Sequence, residues 1–284
     1  MVLDTSFLRQ LDRFELIMAR KINSPFQGER QSTAGGQGLV IKDFSQYSPG
    51  DDFRKIDWKV FARTDKLYIK RYEEERNLTV HILIDFSGSM NFGQKHKKSE
   101  YAAMVGLGFA YMALKNNERF ILSTFSDKIE VFKPKRGRRQ LAAMVDYLSS
   151  KRSENITNFE ESLGQYYKAM VKNRSMIIII SDFLYPIEQI KNTLIRFKDH
   201  QVKLIQVLDD IELNLQLEGD FKLVDSETKT HLRTFLSPYL RKNYLGALQT
   251  HNAAIQSIAN QIRGQFVTVS SSNELFDTFY HILG

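Results

Sequence analysis

The chain has no cysteine, which excludes disulfides, thiolate metal sites and cysteine nucleophiles. This fits a reducing compartment, with the cytoplasm as the default. A long hydrophobic run is missing too. The most apolar stretch, MIIII at residues 176–180, is far too short to cross a bilayer as a helix, so membrane integration is not expected. The first residues, MVLDTSFLRQLDRFELIMARK, place acids among their apolar positions and lack the continuous core of a signal peptide. The six histidines, His81, His96, His200, His231, His251 and His281, fall at no metal-ligand spacing. His81, inside TVHILI, reads as a packed or locally hydrogen-bonded strand residue. No internal repeat is visible.

With 284 residues, the chain can bury one substantial core plus an appendage. Its 40 basic and 33 acidic residues leave a formal charge of +7, which favours acidic partners without identifying one. Between residues 4 and 21, Phe7, Leu8, Leu11, Phe14, Ile17 and Met18 recur at helical spacing. The polar face of that helix mixes acids with bases, so it is expected to pack internally and not on a membrane. SPFQGERQSTAGGQG, residues 24–38, reads as a loop. From Leu39 to Arg76 the chain is mixed and aromatic, with YSPGDD as a turn signal. Residues 1–78 are therefore expected to form a helix followed by a β-rich or irregular elaboration, and residues 79–284 the main domain.

In that main domain strands alternate with helices. Residues 79–85, 119–125, 175–181 and 202–208 are β-prone runs, as covered central strands should be. KIEVF, residues 128–132, follows a Ser126-Asp127 turn and is expected as an antiparallel edge. Helices are expected over residues 99–114, 138–149, 158–171, 187–197 and 239–262, the last announced by Ser237-Pro238. Ala102, Ala103, Gly106, Ala110 and Ala113 give the first of these a small-residue surface suited to close packing on a sheet. A short strand near 220–224, a last core strand at 266–269 and a helix from Asn273 complete the tail. The fold class is α/β: three layers, a predominantly parallel sheet with helices on both faces.

IDFSGSM carries the chemistry. Asp85 ends a buried strand and Ser87 and Ser89 lie in the next turn, at the sheet edge where ligand loops converge. A hard cation such as Mg²⁺ takes about six oxygens near 2.1 Å, which hydroxyls, a carboxylate and water can supply. Thr157, before a helix, and Asp182, after the MIIIIS strand, add oxygens at the same expected edge. Taken alone, the same Asp-x-Ser-x-Ser text also suits a strand-end turn whose side chains cap backbone amides. A phosphatase of the haloacid dehalogenase type would need an acid where Ser87 stands. A serine hydrolase would need glycines on both sides of its nucleophile.

IDFSGSM resembles the Asp-x-Ser-x-Ser motif of von Willebrand factor A-like domains, the metal-ion-dependent adhesion site. Thr157 matches that family's separate threonine and Asp182 its later aspartate. The resemblance implies Mg²⁺, with Mn²⁺ or Ca²⁺ as alternatives, held by Asp85, Ser87, Ser89, Thr157 and Asp182, and an open position that takes a partner's carboxylate. YSPGDDFRKIDWKVFARTDKLYIKRYEEE followed by DFSGSMNFG further resembles the bacterial domain of unknown function 58 family. Upstream of the Gly-rich stretch, where that family is expected to carry a basic, histidine-containing segment, this chain has GERQSTAGGQG. The family resemblance implies an adaptor or assembly factor working with a MoxR-type AAA+ ATPase.

The segment around Tyr47, Pro49, Gly50, Asp51, Asp52, Arg54, Asp57, Trp58 and Arg63 has two readings, a structural clasp or a recognition surface. Its acids and Arg54 could form an ion-pair network, and Trp58 is expected as a buried anchor. KHKK at 95–98 and KPKRGRR at 133–139 are expected as solvated faces or docking patches for an acidic protein. Without a groove-reading helix or interleaved aromatics they do not argue for nucleic acid. The function expected is a divalent-cation-dependent interaction module and not an enzyme; a metal-dependent hydrolase or phosphatase is the alternative.

Overall fold

The computed structural model describes residues 6, 35–49, 51–73, 79–116, 118–132, 139–153, 158–217, 219–224 and 231–283. The helix expected over 4–21, apart from Ser6, and the first part of the 24–38 loop lie outside the described residues. Described residues 35–73 form one compact unit and those from 79 onward another.

The smaller unit contains β1 (Gly35–Gln46), a 3-10 turn (Phe53–Lys55), α1 (Trp58–Thr64) and β2 (Tyr68–Glu73). β1 and β2 pair antiparallel, and Gly35 and Gly36 already face Glu73 and Tyr72. The loop reading of residues 35–38 is thereby corrected. Glycine lowers strand propensity, but backbone pairing to a neighbouring strand overrides it, and the register shifts between Gly36 and Asp43 absorb the mismatch as bulges. YSPGDD turns as expected: Asp51 accepts from Ser48 N at 3.0 Å and its own N–H donates back to Ser48 O. Asp52 accepts from Arg54 N, and Asp57 caps α1 through Lys59 N and Val60 N. These acids serve as local caps and turn acceptors. Trp58 is 61% exposed and stacks edge-on to Phe61, so it is not the buried anchor expected. At the first position of a helix of seven residues, its indole projects from the capped end and finds cover only one turn ahead.

The larger unit runs β3 (Thr79–Asp85), α2 (Lys98–Lys115), β4 (Arg119–Phe125), β5 (Ile129–Val131), α3 (Arg139–Ser150), α4 (Phe159–Met170) and β6 (Ser175–Ser181). It continues through α5 (Ile187–Ile195), β7 (Gln201–Leu208), α6 (Asp210–Asn214), β8 (Gly219–Val224), β9 (His231–Leu236), α7 (Pro238–Gln261), β10 (Gln265–Ser270) and α8 (Leu275–Leu283). Six strands form one sheet in the order β10-β7-β6-β3-β4-β5. Every pairing is parallel except β4 with β5. β8 and β9 form a separate hairpin.

Side chains alternate across the sheet, as strand geometry requires. Leu83, Ile177, Ile179 and Leu204 pack with Phe159, Leu163, Ile190, Leu194 and Ile255 from α4, α5 and α7. On the opposite face α2 lies so close that a Cβ on Gly106 would meet Ile84 Cδ1 at 2.4 Å. The absent side chain is what permits that approach. The expected three-layer, von Willebrand factor A-like arrangement is therefore present. His81 is buried, with Nδ1 2.7 Å from the Tyr166 hydroxyl of α4. Burial, and after it the nearby His200 charge, lowers its pKa to about 4.

From β3 the chain moves to β4 on one side and later returns to β6 on the other. That reversal opens a crevice at the carboxyl ends of β3 and β6, the place where open α/β sheets put their ligand loops.

Candidate functional site

Asp85 is the last residue of β3, and Asp182 directly follows β6, its parallel neighbour. The two carboxylates thus reach the same sheet edge, both buried. A 3-10 turn over Gly88–Asn91 follows β3 with Ser87 at its start, which lets the chain double back over the strand end. Asp85 Oδ1 accepts from Ser87 N at 2.8 Å, and the hydroxyls of Ser87 and Ser89 lie 3.0 Å apart. Ser87 is buried, and Ser89 is half-buried. Thr157 lies outside the described residues. Of the five candidates the structure describes four.

The other oxygen of Asp85 is held from β6 and the loop after it. Asp85 Oδ2 accepts from Ser181 Oγ at 2.6 Å and from the Tyr185 hydroxyl. Burial, and then the negative charge of Asp182, push the Asp85 carboxyl up to about 6, while its three hydrogen bonds pull the other way. A second buried carboxylate beside it raises the cost of ionising the first. A cation placed there would relieve both charges.

Asp182 has partners of its own. Its Oδ1 accepts from Leu184 N at 3.2 Å, and its Oδ2 faces Lys98 Nζ at 2.9 Å. Lys98 also donates to Glu212 Oε1 at 2.7 Å. It is the last lysine of KHKK, and the solvated face expected for residues 95–98 is corrected at this position: Lys98 is fully buried. It opens α2 beneath the crevice, where two carboxylates take its charge. Burial alone would lower its pKa, but Asp182 and then Glu212 outweigh burial and hold it above the ordinary lysine value. Residues 133–138 of the other basic run lie outside the described residues.

The rim beside this group is organised by Asp209, at the end of β7. Its carboxylate accepts from Gln94 N, Ile211 N and Ser271 Oγ, and its N–H donates to Glu212 Oε2 at 2.9 Å. Asp209 and Glu212 together form a capping box on α6. Sequence reasoning missed Ser181, Tyr185, Lys98, Asp209 and Glu212. Only Asp-Asp-Ile-Glu at 209–212, immediately after a strand, carried a readable signal.

Chemically the crevice offers hard oxygen donors and little else. Among the described residues no group of three or more His, Asp or Glu side chains gathers as a metal site; the strand-end cluster pairs two carboxylates with hydroxyls. No helix among the described residues is long and apolar enough to cross a membrane.

The model of the family described as "Protein of unknown function DUF58" matches residues 43–254. The match runs from the last residues of β1 through the strand-end crevice into α7. The chain belongs to the DUF58 family. Among curated relatives, the uncharacterized protein Rv1480 of Mycobacterium tuberculosis is 26% identical over 266 residues, 92% of this chain and 83% of that protein. The uncharacterized protein YeaD of Bacillus subtilis is 27% identical over 110 residues, 39% of this chain and 26% of its own. Among solved structures, the conserved hypothetical protein BatB from Bacteroides thetaiotaomicron aligns with a TM-score of 0.44 and 17% identity, over 71% of this chain and 95% of its own.

Proposed function

We propose that this DUF58 protein is a divalent-cation-dependent interaction module, an adaptor or assembly factor whose partner presents a carboxylate. The observation that carries the reading is the Ser87–Ser89 hydroxyl pair, 3.0 Å apart beside buried Asp85. Two adjacent oxygens of an octahedron with ligand distances near 2.1 Å are also about 3.0 Å apart. Ser87 and Ser89 therefore suit direct ligation, with Thr157 as the remaining hydroxyl donor. Asp85 and Asp182, whose oxygens already accept protein hydrogen bonds, suit the layer behind, holding water and balancing charge.

Bound Mg²⁺ supplies a Lewis-acidic position that a partner's Asp or Glu can enter, with Mn²⁺ or Ca²⁺ as substitutes. Neutral hydroxyls leave more of the ion's charge for that carboxylate than direct carboxylate ligation would. The reading favours a binding role because the strand-end cluster presents hydroxyl and carboxylate oxygens suited to a hard cation. The family resemblance points to a MoxR-type AAA+ ATPase, or an assembly it supervises, as the partner, and the cysteine-free sequence favours the cytoplasm as the place.

Tagged protein is to be captured from its native cytoplasm in Mg²⁺ and in chelator, with wild type and Ser87→Ala compared. The expected result is an AAA+ ATPase retained by wild type in Mg²⁺ and lost in both other conditions. Retention that ignores chelator and Ser87→Ala would contradict the reading. Metal-dependent turnover of a phosphate or carboxylic ester, abolished by Ser87→Ala, would favour a hydrolase instead.

A further inference from the structure

Lys98 is a buried charged group at the crevice that the proposed cation site does not use. Its ammonium lies 2.9 Å from Asp182 and 2.7 Å from Glu212, with the lysine and Asp182 side chains fully withdrawn from solvent. Glu212 is itself held through Asp209 N, and its backbone carbonyl accepts from the Tyr244 hydroxyl of α7. The lysine is therefore clamped between the end of β6 and the start of α6. Asp182 in turn has one oxygen on Lys98 and the other on Leu184 N. Its backbone carbonyl is fixed by Gln206 Nε2 at 2.9 Å, so neither its position nor its carboxylate is idle.

We propose that Lys98 is a positioning residue for the cation site: its ammonium holds Asp182 back from direct ligation and so keeps the bound ion electrophilic. The inference rests on the cation reading above. Direct ligation through Oδ2 would draw it off a buried ammonium and leave Lys98 with Glu212 alone, and a buried charge that loses part of its compensation is disfavoured. Water between Asp182 and the ion preserves both contacts. Lys98 already offsets the charges of Asp182 and Glu212, and an arriving divalent ion meets a smaller excess of negative charge. The lysine thus weakens metal affinity and leaves more of the ion's charge for the partner's carboxylate.

Calorimetric Mg²⁺ titration of the full chain tests this with Lys98→Met, Asp182→Asn and the double variant, paired with thermal melts in chelator and in Mg²⁺. Lys98→Met should bind Mg²⁺ at least tenfold more tightly than wild type, melt lower in chelator and recover more in Mg²⁺. Asp182→Asn should cancel the gain, since the gain runs through the freed carboxylate. A purely structural lysine would lower both melts and leave Mg²⁺ affinity unchanged, which would overturn the inference while sparing the cation site. A wild type that binds no Mg²⁺ would overturn the cation reading itself. Should Lys98→Met not fold, Glu212→Gln asks the same question in the native background. Lys98 then gives its whole charge to Asp182, Mg²⁺ binding should weaken at least threefold, and an unchanged affinity would overturn the proposal.

Discussion

Ser181 Oγ donates to Asp85 Oδ2 at 2.6 Å, so the last residue of β6 ties down the last residue of β3. The same hydroxyl oxygen accepts from Phe183 N at 3.0 Å, at a residue with φ 51°. One side chain thus orients the central carboxylate and fixes the left-handed step that turns the chain out of the sheet. Ser181→Ala is expected to lower Mg²⁺ affinity by about ten- to hundredfold, as losses behind a metal's direct ligands do. It should also cost about 1–3 kcal/mol through the unpaired Phe183 N–H. Urea unfolding in chelator reads the second effect and calorimetry the first. An unchanged Mg²⁺ affinity would remove Ser181 from the site.

His81 makes stability depend on pH. Folded, it stays neutral down to about pH 4, because burial and then His200 oppose its charge; unfolded, it takes a proton near pH 6.5. The contribution is complete above pH 6.5 and is lost as pH falls toward 4, about 3 kcal/mol over that window. His81→Gln, which can still meet the Tyr166 hydroxyl, should flatten this part of the profile. Denaturant unfolding between pH 7 and 4.5 decides it; identical slopes for wild type and variant would show that His81 does not titrate in this way.

Asp209 is buried and accepts from three donors on separate segments. Asp209→Ala should cost about 1–3 kcal/mol, since it strips a helix cap and leaves the part-buried N–H groups of Gln94 and Ile211 without their acceptor. Hydrogen exchange at Gln94 and Ile211 should rise more than at the β6 core. A loss below about 0.5 kcal/mol, with exchange unchanged, would mean that water replaces the carboxylate.

The sheet was legible because its central strands are covered on both faces and are written as nearly unbroken β-prone runs. TVHILID, RFILSTF and SMIIIIS became β3, β4 and β6 at the expected bounds. Asp85 and Asp182 could be placed on one edge because a parallel sheet brings all its carboxyl ends together. β9 went unnoticed since a hairpin off the main sheet follows no buried pattern. α6, of five residues, is too short to show a helical period. Lys98 was misread for another reason. A lysine in a basic run looks solvated until a distant Asp and Glu, 84 and 114 residues along the chain, are folded onto it. Trp58 erred the other way, as an indole whose size argued for burial and whose place at the start of a short helix left it 61% exposed.

The central claim is that the strand-end crevice binds a divalent cation through oxygen ligands organised by Asp85. Asp85→Asn is the informative substitution, because alanine would also orphan the hydroxyls of Ser181 and Tyr185 and confuse folding with binding. Mg²⁺ titration by calorimetry, with melts in chelator and at a hundredfold excess of Mg²⁺ over Kd, measures it directly. Wild type should bind one Mg²⁺ and gain about 2.7 kcal/mol of stability at that excess, while Asp85→Asn binds at least tenfold more weakly and gains correspondingly less. Equal affinity and an equal gain for both proteins would contradict the claim.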